Sequence, residues 1–345
     1  MRKMKVALAL AAMLALPTMG SAADVYEFNF QSSYRGPHAI NMNVYKPWIA
    51  DLEKQSNGQL ILHFFNSGDL VKTAKCGDAV MKGQVDFATV GPTYQDVLFP
   101  NTLALTYQYM YDDCLHGTKA LWNAYKTMPE VKAEWEKVGH LMALWTSDRY
   151  GIFSTQGPIL KASDLTGKRV LIWSGSQVDQ VKAWGGIPVQ TTSNDSYMAL
   201  QRGMGDCLVC PLPAGRSYKL TEVAKDVTVL PCSVLIMGSM MNKEAYNDLP
   251  EGLQKLLDQT GGGEEVSMHI AKVLYDSTEK DIKAMVDVDK CTIHYLNDEQ
   301  YGSFKAADKD VLEKFWLAEL KRLGIKDPAA AIKRAHENAA AAAIK

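Results

Sequence analysis

The chain has 345 residues, of which 47% are apolar and 22% charged, and its formal net charge is −2. So even a balance presents no basic face to nucleic acid or anionic lipid, which excludes both as partners. The length exceeds what one compact core usually holds, so two domains are expected.

The first element is a leader. Arg2, Lys3 and Lys5 precede the apolar run VALALAAMLALP and the small-residue stretch MGSAAD. This is the pattern of a secretory signal peptide over residues 1–23, cut after about Ala22 or Ala23. The run is shorter than the roughly 20 apolar residues that a membrane span needs, and nothing later in the sequence supplies one. The chain is therefore expected to be exported.

DVYEFNFQ (24–31) alternates apolar and polar residues and reads as a strand. Ile40, Val44, Trp48, Ile49 and Leu52 form one stripe, predicting a helix over 37–54 that ends at SNGQ. QLILHFF is a second strand, 73–82 a helix, and VDFATVG a third strand closing on the turn GPTY. This βαβαβ order calls for a parallel sheet flanked by helices.

A second set opens near Trp145. RYGIFST reads as a strand, SDLTGKRVLIW as a turn and strand, and SQVDQVKAWGG as a helix closed by Gly185 and Gly186, before IPVQTT. SNDSYMALQRGM is a helix capped by Asn194 or Asp195 and ended at Gly203. DCLVCP follows as a strand, SYKLTEVAKD as a long helix, and VTVLP and SVLIMGSMMN as strands. The fold class is α/β, with two lobes joined by strands that cross between them, and small ligands usually bind in such a cleft.

TGGGEE (260–265) reads as a break before the helical pattern EEVSMHIAKVLYDSTEKDIKAM. From Asp308 onward, Leu312, Phe315, Trp316, Leu320 and Leu323 form a stripe suited to core packing, and the Ala-rich tail is helical by propensity.

No catalytic constellation emerges. The seven histidines form no H-E-x-x-H and no paired zinc spacing, and neither G-x-S-x-G nor a P-loop is present. No catalytic residue, metal or cofactor is therefore assigned. The C-x-x-C of GDCLVCP (205–211) lacks the helix start that lowers a thiol pKa, and Pro-Leu-Pro follows it. Those cysteines read as pocket lining or a disulfide. Six cysteines in an oxidising compartment allow fifteen pairings, and Cys76 with Cys114 is the disulfide expected.

DLTGKRVLIW (164–173), GGIPV (185–189), NDSYMALQRGMGD (194–206), YKLTEVAKDVT (218–228), MNKEAYNDLPEGLQKLL (241–257) and YLNDEQYGSFKAADKDVLEKFW (295–316) resemble the solute-binding proteins of TRAP (tripartite ATP-independent periplasmic) transporters. NSGDL and MKGQVDFATVGPTY in the first half agree, so the likeness spans nearly the whole exported chain in order. The resemblance implies a two-lobed periplasmic binding protein, each lobe a mixed sheet flanked by helices, with crossing strands at the hinge and a long C-terminal helix. Lobe I would comprise 24–146 plus about 234–275, lobe II about 147–233 plus 276–306, and a C-terminal segment over 307–345 would pack on both. It further implies a periplasmic monomer, not an enzyme, that passes a small solute to TRAP permease subunits. A ligand-sensing subunit of the same fold and a periplasmic thiol oxidoreductase remain as alternatives.

The departures from the family bear on the solute. Family members end the DLTGKRVLIW strand with an arginine that grips a carboxylate, then a proline; here those places hold Leu171 and Trp173, while Arg169 replaces an ordinary lysine. The family's Asp-Gly-x-x-Asn-Pro strand has Cys207 for glycine and Cys210 for the ligand-facing asparagine. Leu171, Trp173 and Cys210 are thus expected to make a less polar wall, suited to a solute with an apolar or aromatic portion rather than a clamped C4-dicarboxylate. Loops at the carboxyl ends of strands add Gln31, Tyr34, Arg35, Tyr94, Tyr150 and Phe153, with Arg149 or Arg35 as a displaced carboxylate contact.

Overall fold

The computed structural model describes residues 24–173, 175–192 and 195–343; the leader over residues 1–23 and the cap candidate Asn194 lie outside them. The strands are β1 (Tyr26–Gln31), β2 (Leu60–Phe65), β3 (Phe87–Val90), β4 (His140–Thr146), β5 (Tyr150–Ser154), β6 (Arg169–Ile172), β7 (Ile187–Gln190), β8 (Cys207–Pro211), β9 (Asp226–Val229), β10 (Ile236–Met241) and β11 (Thr292–Tyr295). They form two sheets, ordered β2-β1-β3-β10-β4 and β11-β9-β5-β8-β6-β7. Strand β1 pairs in parallel with β2 and β3, as the βαβαβ pattern predicts. Each sheet also takes one antiparallel strand directly after a crossing from the other: β5 between β8 and β9, and β10 between β3 and β4.

The crossings lie side by side. Ser147 N–H donates to Leu235 O at 2.7 Å, and Leu235 N–H returns to Ser147 Oγ at 3.0 Å. Residues next to the crossings are tied in the same way, Leu212 N–H to Arg149 O and Leu230 N–H to Tyr150 O, both at 3.0 Å. Backbone bonded to backbone makes this junction an extension of the sheets rather than a free linker.

Side-chain alternation gives each sheet two buried faces. Ala88, Val90 and Leu144 belong to one cluster of the first sheet, and Phe28, Phe30 and Trp145 to the other. In the second sheet Leu171, Leu208 and Cys210 face one side, and Val170, Cys207 and Val209 the opposite one.

Two long helices bind both halves together. Helix Gly263–Asp287 buries Ile270, Ala271 and Leu274 against the first sheet, and Ile282 and Met285 against the second. Helix Asp298–Arg322 buries Phe304 in the second half, and Trp316 and Leu320 in the first. The Ala-rich tail, given no role from sequence, is helix Pro328–Ala342. Its Ala331, Ala335, Ala339 and Ala342 pack into the first-sheet core beside helix Cys114–Thr127. Among the described residues no helix is long and apolar enough to cross a membrane.

Two expectations need correction. The stretch SYKLTEVAKD is not a long helix: Lys219 sits at φ 60°, in the left-handed region, and splits it into short turns. The apolar stripe from Asp308 onward belongs to a helix that starts at Asp298, where Asn297 and Gln300 form a reciprocal capping box. The Cys76–Cys114 disulfide is absent, and all six cysteines are free. Cys76 and Cys114 lie in clusters on opposite faces of the first sheet, where Gln31 Nε2 approaches Cys76 Sγ at 3.4 Å and Cys114 Sγ donates to Ala271 O at 3.2 Å.

Candidate ligand-binding cleft

Between the two halves lies a cavity of about 580 Å³ lined by Tyr94, Trp173, Gln190, Thr191 and Thr192. Tyr94 comes from the turn after β3 and the others from the carboxyl ends of β6 and β7, so loops at strand ends of both sheets face one space. Gly91 makes the Tyr94 turn possible: a Cβ there would stand 2.8 Å from the Tyr94 ring and 3.1 Å from Met237 Sδ. The Trp173 indole is fixed from behind. Its Nε1–H donates to Ser196 Oγ at 2.7 Å, and Ser196 Oγ donates to Thr192 O at 2.7 Å. Tyr218 meets the same indole edge-on, with ring centroids 5.6 Å apart.

The first lobe adds a second aromatic group. Tyr34 stacks on His38 with centroids 4.0 Å apart, and Trp145 Nε1–H donates to Tyr34 Oη at 3.1 Å. Burial raises the Tyr34 phenol pKa above its ordinary value, and the Tyr45 and Tyr94 phenols add to that rise. Burial likewise raises the Tyr94 phenol, with the Tyr218 phenol contributing. Burial raises Tyr150 too, with Cys232, Tyr94 and Cys210 nearby.

Of the residues expected from sequence, Tyr94 and Trp173 line the cavity, while Tyr34 follows β1, the parallel neighbour of β3, and Tyr150 is buried at the start of β5. Arg35 is exposed and forms no ion pair among the described residues. The rest lie elsewhere. Gln31 is wholly buried and saturated: its Oε1 accepts from Leu70 and Val71 N–H at 2.8 Å, and its Nε2 donates to Val71 O at 2.8 Å. It pins the 70–71 loop instead of facing the cleft. Phe153 is core, packed where Gly215 leaves room. Leu171 shares the face of Trp173 but lies one layer deeper, under Gly205, whose added Cβ would fall 2.3 Å from Leu171 Cγ. Cys210 is also fully buried, its thiol pushed well above the ordinary value by burial and by Cys232.

Arg149 and Arg169 are already engaged. Arg149 pairs with Glu279 and with Asp148, and its guanidinium lies 5.2 Å from the Tyr275 ring centroid. Arg169 holds Asp206 through Nη2 at 2.7 Å and Nε at 3.2 Å. Neither is free to clamp a carboxylate. Sequence reasoning missed His38, Tyr218, Gln190, Thr191 and Thr192. The last three stand in IPVQTT at the end of a strand already identified, so the strand-end rule could have found them.

The family model described as bacterial extracellular solute-binding protein, family 7, matches residues 32–319. The chain belongs to this family. A solute-binding protein of Albidiferax ferrireducens is 23% identical over 65% of this chain and 67% of its own length. The C4-dicarboxylate-binding periplasmic protein DctP of Rhodobacter capsulatus is 26% identical over 81% and 82%. Among solved structures, a marine metagenome TRAP solute-binding protein specific for aromatic acid ligands, in complex with 3-hydroxybenzoate, has a TM-score of 0.81 at 22% identity, covering 92% of this chain and 99% of that one. A TRAP solute-binding protein from Rhodoferax ferrireducens, with copurified benzoate, has a TM-score of 0.78 at 20% identity, covering 92% and 98%. At such identity the likeness establishes the shared two-lobed fold. Within family 7, then, this member has an aromatic cleft with no free arginine on β6.

Proposed function

We propose that this family 7 binding protein captures a small organic acid with an aromatic or apolar portion between its lobes and delivers it to TRAP permease subunits. The observation that carries this reading is the facing of Tyr94 and Trp173 across the cavity, with Leu171 in place of a clamping cation. Flat aromatic walls suit a ring, whereas a second carboxylate buried there would be unpaired and costly. The aromatic acids bound by two structural neighbours support the same class. Tyr34, Arg35 and Tyr150, at the ends of strands, are proposed to border the same cleft.

The lobes are taken as 24–146 plus about 234–275 and about 147–233 plus 276–306, with 307–345 packed on both, hinging at the paired crossings. The solute, by touching both lobes, would favour the closed form. Export through the leader, cut after about Ala22 or Ala23, brings the protein to the periplasm. A thermal-shift screen tests the reading, since binding to the folded state raises the melting temperature. Benzoate, 3-hydroxybenzoate and mandelate are expected to stabilise the protein, and succinate is not. The reverse ranking would refute it.

A further inference from the structure

With no arginine free on β6, the polar end of the solute needs another seat, and the first lobe carries one. Tyr34 and His38 are stacked with their planes 15° apart, and each has its acceptor side occupied. Trp145 donates to Tyr34 Oη, so the phenol's own proton is left to point outward, and no acceptor for it occurs among the described residues. Ile40 N–H approaches His38 Nδ1 at 3.3 Å. A neutral imidazole accepting at Nδ1 carries its proton on Nε2, and His38 Nε2 has no partner among the described residues. Burial keeps this ring neutral, with a pKa lowered to about 4. Tyr34 follows β1 and Tyr94 follows its parallel neighbour β3, and Ser33 Oγ donates to Thr89 O at 2.7 Å, so the pair stands at the same strand end as Tyr94, which lines the cavity.

We propose that Tyr34 and His38 form the anion seat of the cleft, giving a solute carboxylate the phenol O–H and the Nε2–H while its ring lies against Tyr94 and Trp173. This rests on the aromatic-acid reading above. Bonds from neutral donors to an ionised acceptor are among the strong ones. Two donors turned toward the solute favour a carboxylate over an amine, since the His38 Nε2–H cannot receive an ammonium proton. The seat holds one carboxylate, so monocarboxylates are selected over dicarboxylates.

The test is calorimetric titration of the exported protein with benzoate, 3-hydroxybenzoate, succinate and benzylamine. Tyr34→Phe and His38→Phe each keep a stacked ring and delete one donor, and Trp173→Leu removes the aromatic wall. Each donor deletion is expected to weaken benzoate by about tenfold or more, with benzylamine not binding wild type. If both donor variants bind benzoate within about twofold of wild type while Trp173→Leu loses it, the seat is wrong and the aromatic reading stands. If wild type binds succinate and no aromatic acid, that reading fails and the seat with it. Should His38→Phe fold poorly, a benzoate-bound crystal structure decides: carboxylate oxygens beyond hydrogen-bond distance of both Tyr34 Oη and His38 Nε2 overturn the assignment.

Discussion

The Tyr109 phenol donates to Oδ2 of Asp308 at 2.6 Å, and Gln180 Nε2 and Trp184 Nε1 reach the same oxygen at 3.0 Å. One buried carboxylate on the last long helix therefore holds a loop that packs with one lobe and a helix of the other. Burial raises its pKa to about 6 despite the three donors. The folded protein keeps this proton over a pH range where the unfolded chain has released it. Its contribution is thus full near pH 4 and is lost as pH rises through about 6, with a span on the order of 3 kcal/mol. Asp308→Asn should flatten that decline. Thermal melts of both proteins between pH 4 and 7 check it, and parallel curves would rule it out.

The Trp173 wall depends on its brace. Trp173→Leu is expected to cost about 2 kcal/mol or more in aromatic-acid binding, and Ser196→Ala, which frees the indole N–H, about 1 kcal/mol. Titration of both variants against wild type measures this. Equal losses would mean that Ser196 acts on the ligand itself.

Gly205 is required by its neighbour. Gly205→Ala places a methyl 2.3 Å from Leu171 Cγ and should destabilise by about 1–3 kcal/mol in urea unfolding. Combined with Leu171→Ala, the two costs should fall short of additive, since the smaller side chain makes room. Strict additivity would show that the clash is relieved elsewhere.

Thiol chemistry should be silent in the folded state. All six cysteines are buried, and burial pushes Cys76 up to about 11 and Cys207 up to about 12. Denatured without reductant, the protein should titrate six thiols, while native protein should react only slowly. Fewer thiols after denaturation, or a fast native phase, would contradict the free assignment.

The strands were legible because alternation and β-branched or aromatic content mark them, and the order of elements led to the two-lobed fold. Depth was not legible. Leu171 and Trp173 lie on one face as strand alternation requires, but alternation does not say that Gly205 covers the first and leaves the second in the cleft. Cys210 was misplaced for the same reason. Tyr218 escaped notice because a helix was expected through it, whereas the left-handed backbone at Lys219 breaks that helix and the ring lies edge-on to Trp173. Helix Cys114–Thr127 was missed altogether. Much of its buried surface is small or polar, including Gly117, Thr118, Ala120 and Ala124, and it packs against an Ala-rich helix distant in sequence.

The burial of every native sulfhydryl gives this molecule a blank background for labelling. A cysteine introduced at Thr191, on the cavity wall, would be the one accessible thiol, and an environment-sensitive dye attached there would sit where the lobes meet. The chain can thus be turned into an optical reporter for its own solute without removing a single wild-type cysteine.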